Sequence, residues 1–290
     1  MSFVLRRTAA VLRKGARVLE KYTDLQKERV QKVMTQYDMV ISPDEPYYAQ
    51  QYLHWILLAC KENFSKTNPF VLDVGCGQGR LTIPMAQWAV EGQVIGIDFT
   101  PAAIASAKQY ASKQKIKNIN FYQADILEYI ENIPENTFDI VIMTEVSFFM
   151  PKYKTVIKRL HSILKPNGLF VGAFWSQYYR LLQCIKNRCW DGAETIVERK
   201  EGCWGDDPVW LSWDTAQGVS DMLRDFNFSN IKLRGIGIAS GIEGDSLSSI
   251  VQPSLLREEE RLRLMEIEIS LAEKYVDCGR YILAIAEKNI

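Results

Sequence analysis

The sequence feature that most constrains the fold is a short apolar run followed by three alternating glycines. The run Phe70–Val74 follows Pro69 and has the length and composition of a strand that is buried on both faces of a parallel sheet. Gly75, Gly77 and Gly79 come next, and glycine lets the backbone turn sharply and approach a ligand closely. Free N–H groups at the start of the following helix point toward the same place. The stretch therefore predicts a ligand-binding loop at the end of a buried strand.

The spacing of these glycines, G-x-G-x-G, separates the loop from two common nucleotide-binding loops. The dinucleotide fingerprint is G-x-G-x-x-G, and the triphosphate loop ends in Gly-Lys-Ser/Thr, where this chain has Gly79, Arg80 and Leu81. A second apolar strand, at 93–98, ends in Asp98, whose carboxylate is suited to accept hydrogen bonds from a ribose diol. Together these features predict a nucleoside-binding site.

The middle of the chain alternates predicted strands and helices, which indicates a doubly wound α/β sheet. Further strands are expected at 120–124, 139–143 and 169–175. The βαβαβ order requires parallel pairing and places ligands at the carboxyl edge of the sheet. Three acids follow the ends of strands and should meet at that edge: Asp98, Asp125 and Glu145.

Five ordered motifs resemble those of class I S-adenosylmethionine-dependent methyltransferases, in particular the small-molecule type that modifies ubiquinone, sterols and sugars. The motifs are DVGCGQG at 73–79, ID at 97–98, QAD at 123–125, FDIV at 138–141 and LKPNG at 164–168. The resemblance covers roughly residues 64–238 and resumes at 279–287. It implies a Rossmann-like seven-stranded sheet, mostly parallel with an antiparallel last strand, and S-adenosyl-L-methionine as the cofactor.

The resemblance also implies roles for residues of the cofactor site. The backbone of Gly75 and Gly77 is assigned to the methionyl part of the cofactor, Asp98 to the ribose hydroxyls and Asp125 to the adenine amine. For the two acids, the alternative is a structural role, because an acid after a strand often caps the next helix.

Two further residues have expected roles at the same site. Phe99 should flank the adenine ring, and Asp73 should orient the loop or meet the ammonium group through water. The predicted cofactor-binding residues are Asp73, Gly75, Cys76, Gly77, Asp98, Phe99, Asp125, Ile126 and Thr144.

The candidate catalytic residues follow from the segment after the fourth strand. Similar methyltransferases carry an acid followed by paired histidines there, whereas this chain has Glu145 and then Phe148 and Phe149. Glu145 is therefore predicted to orient or deprotonate the methyl acceptor, the alternative being a structural hydrogen bond to an N-terminal helix. His54, on the second N-terminal helix, is the other candidate base, and His161 is predicted to be structural.

Two N-terminal helices and two insertions lie outside the resemblance. We expect residues 1–63 to form a helical lid segment over a methyltransferase core, 64–290, that carries cap insertions at about 176–213 and 241–277. The first helix, 3–22, is amphipathic and basic, which fits a targeting presequence, a helix on an anionic membrane or a helix packed over the domain.

Aromatic side chains are concentrated in the lid and in the first cap insertion, which favours an apolar or aromatic substrate. The alternative is that they form the cores of the lid and the cap themselves. The predicted substrate-binding residues are Tyr37, Tyr48, Phe148, Phe149, Trp175 and Tyr179.

Composition limits the classes of partner. The 290 residues carry 35 basic and 35 acidic side chains, so no net charge favours nucleic acid or an anionic membrane. The six cysteines form no C-x-x-C pair and no metal-ligand spacing with the two histidines, which predicts reduced thiols in a cytoplasmic protein without a metal site. No apolar run reaches the ~18 residues that span a bilayer. A monomer or a homodimer is expected.

Three hypotheses for function follow. The leading one is transfer of a methyl group to a small, largely apolar or aromatic metabolite of the natural-product type, most readily at oxygen, by in-line displacement in a lidded pocket. The second is an RNA, DNA or protein methyltransferase, although residues 144–147 read Thr-Glu-Val-Ser and not the Asn/Asp-Pro-Pro-aromatic loop that holds a flipped base. The third is a non-catalytic cofactor-binding subunit, because a fold alone does not prove turnover.

Overall fold

The computed structural model describes residues 25–32, 35, 37–64, 68–202 and 210–289, so the predicted helix at 3–22 lies outside the described residues. A helical segment at 25–32 comes first, and the long helix α1 (Glu45–Asn63) follows it. Pro46 stands in the first turn of α1, where its missing N–H costs no intrahelical hydrogen bond. Helix α1 is the second N-terminal helix that the sequence predicted.

Alternating strands and helices follow α1. In chain order they are β1 (Phe70–Val74), α2 (Thr82–Trp88), β2 (Gln93–Asp98), α3 (Pro101–Lys113), β3 (Ile119–Gln123), α4 (Ile126–Glu131), β4 (Phe138–Met143), α5 (Tyr153–Ile163) and β5 (Leu164–Trp175). The first insertion contains α6 (Gln177–Lys186), α7 (Trp190–Glu198) and the short strands β6 (Glu201–Gly202) and β7 (Leu211–Ser212). The remaining elements are α8 (Ala216–Asp225), β8 (Phe228–Ile236), α9 (Glu258–Leu271) and β9 (Tyr281–Lys288).

The main sheet has seven strands in the order β3-β2-β1-β4-β5-β9-β8. Strands β1 to β5 pair in parallel, and β9 runs antiparallel to both β5 and β8. This confirms the predicted doubly wound, mostly parallel sheet with an antiparallel last strand. Because β9 runs antiparallel, its first residue, Tyr281, pairs with Trp175 at the end of β5. The start of β9 thus lies at the same edge as the carboxyl ends of the parallel strands.

Two apolar layers cover the two faces of the sheet. Val71 belongs to the layer that contains Tyr52 and Ile56 of α1, whereas Leu72 belongs to the layer that contains Leu160 of α5. Neighbouring residues of β1 enter opposite layers because side chains alternate across a strand. The burial of both layers explains why β1 reads as a continuous apolar run.

The second insertion is attached to α1 by buried acids. Glu268 on α9 is fully buried and accepts hydrogen bonds from Tyr47 Oη at 2.6 Å and from Gln51 Nε2 at 2.7 Å. Asp44 accepts from the N–H groups of Glu243 at 2.8 Å and Ser254 at 2.7 Å. Such buried carboxylates are stable only when donors satisfy them, so these contacts fix the insertion against the N-terminal helix.

In the described part of the chain, no helix combines the length and the apolar character that crossing a membrane requires. Among the same residues, no group of three or more His, Cys, Asp or Glu side chains is placed to hold a metal ion.

Candidate functional site

A cavity of about 340 Å³ lies at the carboxyl edge of the parallel strands. Its walls come from the glycine loop after β1, the ends of β2 and β3, the segment after β4 and the start of β9. The helical segment 25–32 contributes Gln26, Lys27 and Val30, and the loop after it contributes Tyr37 and Met39. Doubly wound sheets bind their ligands at this edge.

The glycine loop has the backbone conformation that its sequence predicted. Gly75 and Gly77 have φ values of +76° and +52°, in the left-handed region that favours glycine. The N–H groups of Gly75 and Cys76 both donate to the carbonyl of Ile97, at 2.7 and 2.9 Å, which ties the loop to β2. A Cβ atom on Gly75 would overlap Cγ2 of Val146. The first glycine is therefore needed both for its conformation and for its close contact with the segment after β4.

Asp98 is held at the cavity wall by two backbone donors. Its Oδ2 accepts the N–H of Gly77 at 3.1 Å, and its Oδ1 accepts the N–H of Thr100 at 2.8 Å. Burial raises the pKa of Asp98 above its ordinary value, and the two N–H groups partly offset that rise. Each carboxylate oxygen retains a lone pair, so this fixed side chain can still accept hydrogen bonds from a diol.

Asp125 combines a helix cap with an ion pair. Its Oδ1 accepts the N–H groups of Leu127 at 2.9 Å and Glu128 at 3.3 Å, so it caps α4 as the structural alternative expected. Its Oδ2 lies 2.6 Å from Lys27 Nζ on the first described helix. Burial raises the pKa of Asp125, but Lys27 and the two N–H groups together lower it by more. The net shift of the pKa is therefore downward. The cap does not remove Asp125 from the cavity, which it also lines.

Asp73 lies at the cavity wall within β1. It is 2% exposed, and its Oδ2 accepts a hydrogen bond from Thr82 Oγ1 at 2.6 Å. Burial raises the pKa of Asp73 to about 7, with Thr82 and Arg80 acting in the opposite direction. The charge of this carboxylate therefore changes near neutral pH.

Arg80, directly after the third glycine, lies between two buried carboxylates. Its Nη2 donates to Glu145 Oε1 at 2.6 Å, and its Nη1 pairs with Glu45 Oε2 at the start of α1. The side chains of Arg80, Glu45 and Glu145 are 8%, 5% and 9% exposed. Glu145 is thus connected to an N-terminal helix through Arg80. This arrangement is close to the structural alternative predicted for Glu145, a hydrogen bond to an N-terminal helix. The φ of Glu145, +59°, is unusual for a residue with a side chain.

A wall of stacked rings lines the other end of the cavity. The rings of Phe148 and Trp175 are parallel, with centroids 4.1 Å apart, and Tyr281 stacks on Phe148 at 5.9 Å. The guanidinium of Arg180 lies 4.3 Å from the Trp175 centroid. Phe148 and Arg180 must cover opposite faces of Trp175, because both lie about 4 Å from the same centroid. Trp175 therefore presents its edge, not a face, to the cavity.

The structure brings most of the predicted site residues together. All nine predicted cofactor-binding residues and Glu145 line the cavity, and so do four of the six predicted substrate-binding residues: Tyr37, Phe148, Phe149 and Trp175.

The other two predicted substrate-binding residues, Tyr48 and Tyr179, do not line the cavity. The Tyr48 hydroxyl is buried 3.0 Å from Ser240 Oγ, and the Tyr179 hydroxyl donates to Asp245 at 3.2 Å. Contrary to the expectation that they contact substrate, the structure places both side chains outside the cavity, because their hydroxyls bond to residues in or next to the second insertion.

His54 is also outside the cavity. It is exposed on α1, with its ring edge-on to Trp55 at 4.8 Å. The buried face of α1 carries Tyr48, Tyr52 and Ile56, and a residue two positions after Tyr52 points about 200° away around the helix. Contrary to the expectation that it acts as a base, His54 thus points to solvent and away from the cavity.

Several residues at the cavity were not found from the sequence. They are Gln26, Lys27, Arg80, Arg280 and Tyr281. Arg80 is adjacent to the glycine motif, but nothing in the motif predicts its two carboxylate partners. Arg280 and Tyr281 come to the site because β9 is antiparallel and starts at the carboxyl edge. The predicted antiparallel last strand was the signal that could have located them.

Residues 65–215 match a family model described as a methyltransferase domain. The chain is 40% identical over 101 residues to the ubiquinone biosynthesis O-methyltransferase of Bradyrhizobium diazoefficiens, a match covering 35% of this chain and 38% of that protein. It is 35% identical over 114 residues to the probable methyltransferase ltbC of Aspergillus luteorubrus, covering 37% and 40%. The chain thus matches about two fifths of the length of these relatives.

Solved structures share the fold. The magnesium protoporphyrin IX methyltransferase of Synechocystis, with bound SAH, superposes with a TM-score of 0.55 at 14% identity and covers 91% of this chain and 94% of that one. A putative S-adenosylmethionine-dependent methyltransferase from Listeria monocytogenes has a TM-score of 0.52 at 17% identity, covering 83% and 100%. At these identities the similarity concerns the fold alone.

Proposed function

Since the chain belongs to the methyltransferase-domain family of S-adenosylmethionine-dependent enzymes, we propose that it transfers a methyl group to a small, largely apolar or aromatic metabolite, most readily at oxygen. One observation carries the proposal. The glycine loop and the acids after β2 and β3 line one cavity whose far end is walled by aromatic rings. The cavity therefore offers a nucleoside-binding half next to an apolar half.

The residues at the nucleoside half fit S-adenosylmethionine. Gly75 and Gly77 leave room for the methionyl part, Asp98 would accept from the ribose hydroxyls, and Asp125 would accept from the adenine amine. Two backbone donors hold the Asp98 carboxylate in place, so its ordering does not have to occur during binding. When bound, the cofactor supplies an electrophilic methyl group on a positively charged sulfur.

The other half of the cavity favours an apolar or aromatic acceptor. Phe148, Phe149, Met150, Pro151 and the edge of Trp175 line it. Apolar walls of this kind bury a flat ring or a hydrocarbon and leave few groups to bind a highly polar substrate. The O-methyltransferase among the similar proteins supports oxygen as the acceptor atom.

We assign the role of a lid to the N-terminal segment 1–63, over a core at 64–290. Gln26 makes two hydrogen bonds with the backbone of Trp210, with its Nε2 donating at 2.7 Å and its Oε1 accepting at 3.1 Å. The adjacent Lys27 pairs with Asp125. The helical segment 25–32 thus bridges the first insertion and the cofactor half of the cavity, where it would exclude water during methyl transfer.

Calorimetric titration with S-adenosylmethionine tests the cofactor site. Binding to the full chain is expected, and Asp98→Asn should weaken it about tenfold or more, because the ribose hydroxyls lose a charged acceptor. Asp221→Asn is the matched control, since Asp221 lies on α8 and is 56% exposed. Equal affinities for the wild type and Asp98→Asn would remove the ribose assignment.

A second experiment tests catalysis and finds the acceptor. The protein is incubated with cofactor carrying a deuterated methyl group and with a small-molecule extract of its host, and products that gain the labelled methyl are identified by mass spectrometry. An apolar or aromatic product methylated at oxygen is expected. Cofactor binding without any labelled product would favour the non-catalytic subunit instead.

A further inference from the structure

We propose that Tyr37 and Glu45 form a proton relay that removes the proton from a hydroxyl acceptor in the cavity, with Arg80 and Glu145 as positioning residues. The proposal rests on the proposed function and deepens it, because it specifies the acceptor as an alcohol or a phenol. It also moves the role of base away from Glu145, the residue that the sequence favoured.

Tyr37 provides the contact between the cavity and the relay. It lines the cavity, and its hydroxyl donates to Glu45 Oε1 at 3.1 Å. The same oxygen accepts a hydrogen bond from Ser42 Oγ at 2.8 Å. A phenol oxygen has two lone pairs, so one remains to accept from the hydroxyl of a bound substrate.

Glu45 lies behind Tyr37 and is 4% exposed, while the residues that line the cavity include Tyr37, Arg80 and Glu145 but not Glu45. One of its oxygens is engaged by Tyr37 and the other by Arg80. A proton from the cavity therefore reaches Glu45 through the Tyr37 hydroxyl. This arrangement is that of a hydrogen-bonded relay in which the inner group is the final acceptor.

The charges around Arg80 explain why Glu45 is ready to take a proton. Two buried carboxylates, Glu45 and Glu145, share the single positive charge of Arg80, so the cluster carries one excess negative charge. Protonation of one carboxylate removes that excess and leaves Arg80 paired with the other. Burial is the main cause that raises the pKa of Glu45, Arg80 opposes it, and Glu145 adds to the rise.

Other titratable groups also face the relay. The charge of Arg280, the residue before β9, lowers the pKa of Glu45 and of Tyr37. The negative charge of Glu145 raises the pKa of the Tyr52 and Tyr281 phenols. The charge of Glu45 also raises the pKa of Tyr281. Burial and the charge of Glu45 raise the pKa of Tyr37 to about 12, so this phenol stays protonated near neutral pH and passes protons without storing charge.

The acceptor O–H bond breaks and its proton moves to Tyr37 Oη, while the original Tyr37 proton moves to Glu45 Oε1. The electron pair of the broken O–H bond remains on the acceptor oxygen and forms the new bond to the methyl carbon, as the pair of the old sulfur–methyl bond stays on sulfur. Glu45 returns its proton through Tyr37 once the product has left.

Infrared difference spectroscopy tests the relay without requiring turnover. The full chain, labelled with ¹³C-carboxyl glutamate, is titrated with acid and base. We expect a buried glutamic acid that titrates above the ordinary value of 4.5. The band should be absent in Glu45→Gln and present in Glu62→Gln, a control on the same helix whose side chain is 48% exposed. The absence of such a band in the wild type would overturn the proposal.

Kinetics with the acceptor found in the labelling experiment provide the second test. Glu45→Gln and Tyr37→Phe should each lower kcat by roughly 10²- to 10⁴-fold, with cofactor affinity unchanged. The double variant should lose no more than either single one, because the two groups act as a unit. The acidic limb of the kcat–pH profile should disappear in Glu45→Gln.

The outcomes separate the relay from the proposed function. Methyl transfer by the wild type together with an unchanged kcat and acidic limb in Glu45→Gln would overturn the relay and leave the methyltransferase intact. Absence of methyl transfer in the wild type would overturn the proposed function, and the infrared titration would still decide the state of Glu45. If Glu45→Gln does not fold, Tyr37→Phe, which removes one hydroxyl and keeps the Glu45 carboxyl, should show the same loss of kcat. An unchanged kcat in Tyr37→Phe would overturn the relay.

Discussion

Lys27 Nζ lies 2.6 Å from Asp125 Oδ2, and this ion pair joins the first described helix to the end of β3 beside the cavity. The two side chains are 44% and 23% exposed, so the pair is partly solvated. A solvated ion pair contributes about 1 kcal/mol or less. The helical segment 25–32 is therefore expected to open at a small cost in free energy, as access to the cavity requires.

Lys27→Met should loosen the helical segment 25–32, the proposed lid, without unfolding the core. Hydrogen exchange at residues 25–32 should become faster by about two- to fivefold, which corresponds to the loss of a partly exposed ion pair. Lys32→Met is the matched control, because Lys32 is exposed on the same helical segment. Equal exchange rates in the two variants would show that the ion pair does not hold the segment.

Gly75→Ala should both destabilise the protein and abolish cofactor binding. Alanine at φ +76° costs roughly 1–2 kcal/mol, and its Cβ would in addition overlap Val146. Gly244→Ala isolates the first effect, since Gly244 has φ +79° and no atom within 4 Å of an added Cβ. Urea denaturation should give a larger loss for Gly75→Ala, and calorimetry should detect cofactor binding only in Gly244→Ala. Similar losses in both variants would contradict the tight contact.

Cofactor affinity should depend on pH through Asp73. Burial raises the pKa of this carboxyl to about 7, and a cationic cofactor binds best to its charged form. Affinity should therefore increase as pH rises toward about 7 and level off above it, by at most about tenfold per pH unit. Titration calorimetry across this range measures the effect.

Asp73→Asn is the control for that pH dependence. It keeps the side-chain shape and an oxygen to accept from Thr82, but it does not titrate. Its cofactor affinity should be weaker and flat below pH 7. A slope that persists in this variant would assign the titration to another group.

Arg80→Met should be strongly destabilising. It leaves Glu45 and Glu145 buried without their cation, which costs about 3–5 kcal/mol in measured cases of broken buried ion pairs. The triple variant Arg80→Met, Glu45→Gln, Glu145→Gln should recover more than half of that loss, because the uncompensated charges are gone. Urea denaturation compares the free energies of unfolding. A loss below about 1 kcal/mol in the single variant would mean that the cluster is solvated.

The nucleoside half of the site was predictable because its signals are local in sequence. Gly75 follows β1 directly, Asp98 is the last residue of β2, and Asp125 comes two residues after β3, and parallel strands must end at one edge. The position of Asp125 was predicted, and its ion pair with Lys27 was not, since the two residues are 98 positions apart and only folding brings them together.

The aromatic half of the cavity, the proposed acceptor site, was harder to predict because it depends on the rotation of helices and on long-range pairing. The sequence analysis placed His54 and Tyr48 in the site because of their chemistry. In the structure, Tyr48 lies on the face of α1 that packs in the core and His54 lies on another face, so neither lines the cavity. Trp175 was predicted at the cavity, and its stacking with the Phe148 ring and the Arg180 guanidinium was visible only in the packed structure.

The sequence by itself determined the parallel α/β sheet, the glycine loop and the acids at its carboxyl edge, because alternation, strand ends and glycine conformations are set by neighbouring residues. Only the tertiary structure decided that Arg80 lies between Glu45 and Glu145, that Tyr37 stands in front of Glu45, and that β9 brings Tyr281 to the cavity. These contacts join segments far apart in the chain, and the packing of the helices against the sheet fixes which of their side chains meet.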